Sequence, residues 1–96
     1  MAKIHFIINP KETSIGDRWP YEQRKIESIT RDFEVHLVRG RNHAEALTLS
    51  AANQRAELVI CAGGDSTINE ITNGLFRLGN RAPALSVHPQ FQRGSF

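Results

Sequence analysis

At 96 residues the chain has room for one domain, with a thin stability margin, because a short chain buries a smaller share of its surface than a long one. Apolar residues at 40% and charged residues at 23% are ordinary for a soluble globular protein, and 12 basic against 10 acidic residues leave a net charge of +2, too little to argue for a nucleic-acid partner. The single cysteine, Cys61, excludes an intrachain disulfide and fits a reducing, cytoplasmic setting.

The opening MAKIHFIINP has one Lys and a short apolar run, without the longer apolar region of a signal peptide. Within it Lys3–Ile8 is apolar and β-branched and stops at Asn9-Pro10, which predicts a first strand. The polar stretch Lys11–Trp19, with Gly16 inside, reads as a loop. Pro20 suits the first turn of a helix over Tyr21–Asp32, whose buried stripe is Ile26, Ile29 and Phe33. Glu34–Val38 is the second strand, ended by Gly40. His43–Gln54 is a helix with Ala44, Leu47 and Ala51 on one side. Leu58–Ala62 is a continuous apolar run of the kind a doubly covered parallel strand needs. Ser66–Leu78 is a third helix with Ile68, Ile71 and Leu75 inward, closed by Gly79-Asn80 and followed by Pro83. Ala84–Val87 is the fourth strand, ended by Pro89. No stretch approaches membrane-spanning length, so membrane contact can only be peripheral.

The order β-α-β-α-β-α-β predicts an α/β fold: a three-layer αβα arrangement around a parallel sheet of about four strands. Ligands of such sheets sit beyond the carboxyl ends of the strands. Three loops gather there: Asn9–Trp19, Arg39–Asn42 and Gly63–Thr67. In the last, Gly63 and Gly64 can take backbone angles closed to other residues and let a ligand approach the main chain. The helix that follows turns its unpaired N–H groups and positive dipole end to the same point, which makes an anion site. Ser66 and Thr67 add hydroxyl donors. Asp65 would repel a phosphate unless a metal ion, held through water, or an ordered water lies between them. A plain helix cap explains the same residues: Thr67-Ile68-Asn69-Glu70 is a T-x-x-E capping box, and Asp65 or Ser66 could also cap. On these grounds alone the two readings stand level.

Other fingerprints are missing. There is no G-x-x-x-x-G-K-[ST] and no G-x-G-x-x-G after the first strand. No Cys/His set has metal-ligand spacing. His5, His36, His43 and His88 are dispersed and read as surface or packing residues, and Cys61 as a small hydrophobe. Arg39 and Arg41 are the nearest thing to a basic cluster; they suit phosphate contacts but read first as a solvated face.

The stretch GGDSTINEITNGL, Gly63 to Leu75, resembles the G-G-D-G-T-x-N-E-V-x-N-G-L signature of the diacylglycerol kinase catalytic domain family, which includes sphingosine, ceramide and bacterial lipid kinases. Asn9-Pro10 resembles the family's N-P-x-S-G motif, although Ser14 and Gly16 are displaced from it, and His43-Ala44 fits its spacing. The G-G-D core is shared with NAD kinases and phosphofructokinases; the N-E-x-x-N-G-L continuation favours the lipid kinases. The resemblance runs over essentially the whole chain.

It implies the N-terminal domain of the NAD kinase/diacylglycerol kinase-like fold, an ATP site with Mg²⁺ at the strand ends, and phosphoryl transfer to the hydroxyl of a lipid such as diacylglycerol or a sphingoid base. Asn9, Gly63, Gly64, Asp65 and Thr67 would line the nucleotide phosphates, with Ser66 beside them; Asn69 and Glu70 would support the loop or face the substrate cleft. Ser66 stands where the signature has its third glycine. A positive φ there would cost about 1 kcal/mol or more, a negative one nothing. No catalytic residue is expected in this chain, because the proton-accepting carboxylate belongs to the family's β-rich C-terminal domain, which these residues do not include. The expectation is a nucleotide-binding portion that does not turn over alone; the alternative is a truncated or degenerate non-catalytic domain. An exposed edge on the fourth strand would favour a homodimer.

Overall fold

A computed structural model describes residues 3–12 and 15–87. Ser14, His88 and Pro89 lie outside the described residues. Four strands, β1 (Ile4–Ile8), β2 (Phe33–Leu37), β3 (Leu58–Ala62) and β4 (Ala84–Val87), alternate with three helices, α1 (Ile15–Glu27), α2 (His43–Asn53) and α3 (Asp65–Leu78). All strand pairs are parallel, in the order β2-β1-β3-β4.

The two-residue period of β1 divides the core. Ile7 packs with Val59 and Cys61 against Ala44 and Ala51 of α2 and Ile71 of α3. Phe6, Ile8 and Ala62 form the opposite face, with Ile26 of α1, Phe33 and Val35 against them. Helices therefore cover both faces, and β1, central and doubly covered, is apolar on both sides apart from His5. The expected three-layer parallel architecture is what the chain adopts.

The first helix departs from expectation. It begins at Ile15, inside the stretch read as a loop, and ends at Glu27. Pro20 lies within it rather than at its start, at the loss of one backbone hydrogen bond. The Ile26-Ile29-Phe33 stripe is not one helical face. A turn in which Ile29 and Thr30 both donate to the Ile26 carbonyl ends the helix, Ile29 is 84% exposed, and Phe33 opens β2. Phe33 is drawn into the sheet because its ring meets Phe6 edge-on at 5.6 Å.

Helices α2 and α3 lie side by side on one face. A Cβ on Gly74 would come 3.1 Å from Thr48 Cβ and Cγ2, so this mid-helix glycine lets the helices approach closely. Thr48, fully buried, turns its hydroxyl to the Ala44 carbonyl at 2.8 Å and leaves its methyl to the contact. Gly79, with φ 56°, ends α3 in the left-handed region, as its place after the helical pattern predicts. No described helix is long and apolar enough to cross a membrane.

Candidate functional site: a glycine turn beneath a cationic cleft

The chain passes from β1 outward to β2, then crosses back beyond β1 to β3, so the order reverses between β1 and β3. That switch point is where an open α/β sheet leaves a crevice at its carboxyl end. Ile8 and Ala62 are paired there, and the Asn9 N–H donates to the Ala62 carbonyl at 2.8 Å, which brings the loops after β1 and β3 together.

The first loop is a tight turn. The Glu12 N–H donates to the Asn9 carbonyl at 3.1 Å, and the Lys11 N–H to Asn9 Oδ1 at 3.1 Å. Proline at the second position of such a turn has its φ already set, and an asparagine at the first braces it with its own side chain. The Asn-Pro pair therefore throws Glu12 back towards α3. Asn9 Nδ2 meanwhile donates to Thr67 Oγ1 at 3.0 Å.

The loop after β3 uses its glycines for close approach, not for unusual angles. Among the described residues only Asn42, Arg55 and Gly79 have positive φ; Gly64 is extended at φ −92°. A Cβ on Gly63 would lie 2.9 Å from both Cβ and Oγ1 of Thr67, so this glycine lets the buried threonine fold over the turn. Ser66 is helical, without positive φ, and stands in place of a glycine at no backbone cost.

Gly64 is the N-cap of α3, and no side chain of the helix caps it. The capping box expected of Thr67 and Glu70 does not form. Instead the Glu12 carboxylate sits on the helix start. It accepts from the Gly64 N–H at 3.0 Å and from the hydroxyls of Ser66 and Thr67. Burial alone would push its carboxyl up, but the donors of Ser66, Thr67 and Gly64 outweigh it and hold the group below its ordinary value. An anion thus occupies the anion-binding end of α3.

Glu70 reaches the other way. Its Oε2 accepts from the Asn42 N–H at 3.0 Å and its Oε1 from the Ala44 N–H at 3.1 Å, so it caps α2 from α3. Asn42 takes φ 67° as the cap residue of α2, and the Arg39 N–H donates to His43 Nδ1 at 2.9 Å. Glu70 thereby fixes the loop after β2 beside the α3 start.

Between these loops opens a cleft of about 380 Å³. Lys11, Arg39 and Arg41 line it, with Asn9, Glu12, Ser66 and Glu70. Three cations and the Ser66 hydroxyl face the cleft beside the carboxylates of Glu12 and Glu70, and the cations outnumber the acids, which suits a polyanionic ligand. Of the residues expected to act, Asn9, Gly63, Gly64, Ser66 and Thr67 share this corner. Asp65 and Asn69 are exposed on α3. Sequence reasoning missed Glu12 and Lys11 altogether and read Arg39 and Arg41 as solvated. Cys61 is fully buried beneath the loop; burial, with Glu12 adding to it, pushes its thiol to about 12, so it is inert packing.

The diacylglycerol kinase catalytic domain matches the chain over residues 3–90. The chain belongs to the diacylglycerol kinase catalytic domain family. A diacylglycerol kinase of Bacillus subtilis (strain 168) is 39% identical over 66 residues, which are 69% of this chain and 22% of that protein. A diacylglycerol kinase structure from Bacillus anthracis str. Sterne superimposes with a TM-score of 0.74 at 27% identity, over 88% of this chain and 31% of that one. Another structure from the same organism gives 0.76 at 25% identity, over 88% of this chain and 29% of that one. This chain therefore spans under a third of the length of these relatives.

Proposed function

We propose that this chain is the nucleotide-binding portion of an ATP-dependent lipid kinase, with the phosphates of ATP in the cleft between residues 9–12, 39–42 and 63–67. The observation that carries the reading is the docked Glu12 carboxylate. The Gly64 N–H and the Ser66 and Thr67 hydroxyls already hold one anion, so their donors fit phosphate oxygens. Lys11, Arg39 and Arg41 supply charge for the rest of a triphosphate. A bound nucleotide displaces Glu12 from these donors.

Mg²⁺ fits the same corner through Asp65, which is exposed on the first turn of α3 and can hold the ion through water. The ion would neutralise charge on the phosphates when bound. The chain's own residues bind and orient the nucleotide. Transfer to a lipid hydroxyl, diacylglycerol or a sphingoid base by family likeness, calls for a proton-accepting carboxylate from a β-rich domain beyond residues 1–96. Peripheral contact with a membrane and pairing of two copies along β4 belong to the same proposal.

Calorimetric titration with MgATP tests the cleft. The chain binds, and Arg39→Ala weakens binding about tenfold through loss of one charge-assisted phosphate contact. Equal affinity in Arg39→Ala and Lys11→Ala would put the phosphates elsewhere.

A further inference from the structure

His5, Glu34 and His36 form a cluster away from the cleft, about 13 Å back along β1 from Asn9. Parallel pairing produces it: His5 lies opposite Glu34 and Ile7 opposite His36, so all three side chains emerge on the face that carries α2. Dispersion in the sequence hid this arrangement, because two strands contribute and no short spacing marks it.

The two imidazoles stack, with ring centres 5.0 Å apart, and His5 Nδ1 lies 3.0 Å from His36 Nε2. One of these nitrogens must donate to the other. If His5 donates, its Nε2 is a bare lone pair; if His36 donates, the neutral His5 carries its proton on Nε2. Either way Nε2 is buried with no hydrogen-bond partner among the described residues. Glu34 Oε2 lies 3.9 Å away, beyond hydrogen-bonding reach. Buried polar atoms are rarely left so.

We propose that His5, His36 and Glu34 bind a first-row transition-metal cation, of which Zn²⁺ is the representative. Candidate donor atoms of the three residues lie within 4.8 Å of one another. Zinc bonds of 2.0–2.1 Å in a tetrahedral set hold donor atoms about 3.3 Å apart. The His5 Nδ1 to His36 Nε2 separation of 3.0 Å is close to that, and Glu34 Oε1 stands 3.7 Å from His36 Nε2. With the cation on Nδ1, the His5 proton is fixed on Nε2. Glu34, drawn in to the ion by one oxygen, supplies the third donor. His5 is fully buried while the His36 and Glu34 side chains are 22% and 41% exposed, so the ion enters from the β2 edge and keeps a water in its fourth position. Two imidazoles and one carboxylate favour zinc or cobalt over magnesium, which sets this site apart from one for MgATP.

Titration with CoCl₂ and ZnCl₂ tests it. One equivalent of Co²⁺ at tens of micromolar should give the visible absorption of a four-coordinate site, displaced by Zn²⁺, and Zn²⁺ should raise the melting temperature. His36→Ala and Glu34→Gln, both at partly exposed positions, should each weaken binding tenfold or more. No cobalt spectrum at 100 µM metal, or wild-type affinity in His36→Ala, would overturn the proposal.

Discussion

Glu12 occupies the donors on which the functional reading depends, so it is the residue whose replacement reports most. Glu12→Gln keeps the size and removes the charge. Its expected effect is tighter MgATP binding, by about tenfold, because the nucleotide no longer competes with a charge-assisted contact. Unchanged or weaker binding by calorimetry would mean that Glu12 assists the ligand instead of standing in for it. The pH dependence has a fixed sign. A carboxyl held below its ordinary value contributes most when ionised, so its contacts persist above the unfolded value and are lost as pH falls through the lowered one. The Gly64 and Thr67 amide resonances should therefore titrate with an apparent pKa under 4.5, and the step should vanish in Glu12→Gln. A step above 4.5 would contradict the docked geometry. Gly63 is the other decisive position: a methyl group there meets Thr67 at 2.9 Å, so Gly63→Ala should expel the Thr67 hydroxyl from the turn and weaken nucleotide binding several-fold.

At the scale of elements, α2 and α3 approach closely at Gly74 and Thr48 and are tied together through Glu70. Gly74→Val puts a branched side chain where Thr48 is 3.1 Å from a Cβ, and should cost about 1–3 kcal/mol in urea unfolding. Wild-type stability would mean that the helices can part without loss. Glu70→Ala frees the N–H groups of Asn42 and Ala44 and should cost about 1–2 kcal/mol while loosening the loop that carries Arg39 and Arg41. These elements also mark what the sequence makes legible. Strands β1, β3 and β4 could be placed within a residue, because each is a short apolar run with a turn signal after it. The start of α1 could not. Its first turn is polar, and Pro20 looks like a beginning when the helix has already run five residues. The T-x-x-E pattern was present, yet Glu70 serves a helix 26 residues away; a box and a tertiary cap look alike in one dimension. Glu12 and the His5–Glu34–His36 cluster were illegible for the same reason, since sheet pairing and a turn, not spacing, create them.

On the scale of the whole molecule, the doubly wound sheet brings the turn after β1 and the turn after β3 to one corner, and the family match fits that placement. The proposed division of labour is nucleotide binding within these residues and acceptance of the hydroxyl proton outside them. Incubated with MgATP and diacylglycerol or sphingoid-base micelles, the 96-residue chain should transfer no phosphate; sustained turnover would place the missing carboxylate within it. Strand β4 pairs with β3 alone among the described residues, so light scattering should give a mass that rises towards a dimer with concentration. A constant monomer mass would count against pairing along that edge. The central claim is that the start of α3 receives nucleotide phosphate. A ¹⁵N-resolved titration with MgATP tests it directly. The account predicts shifts concentrated on the amides of Asn9, Lys11, Glu12, Arg39 and residues 63–67, with the rest of the sheet unmoved. An unaltered spectrum at millimolar MgATP, or shifts centred away from these residues, would contradict it.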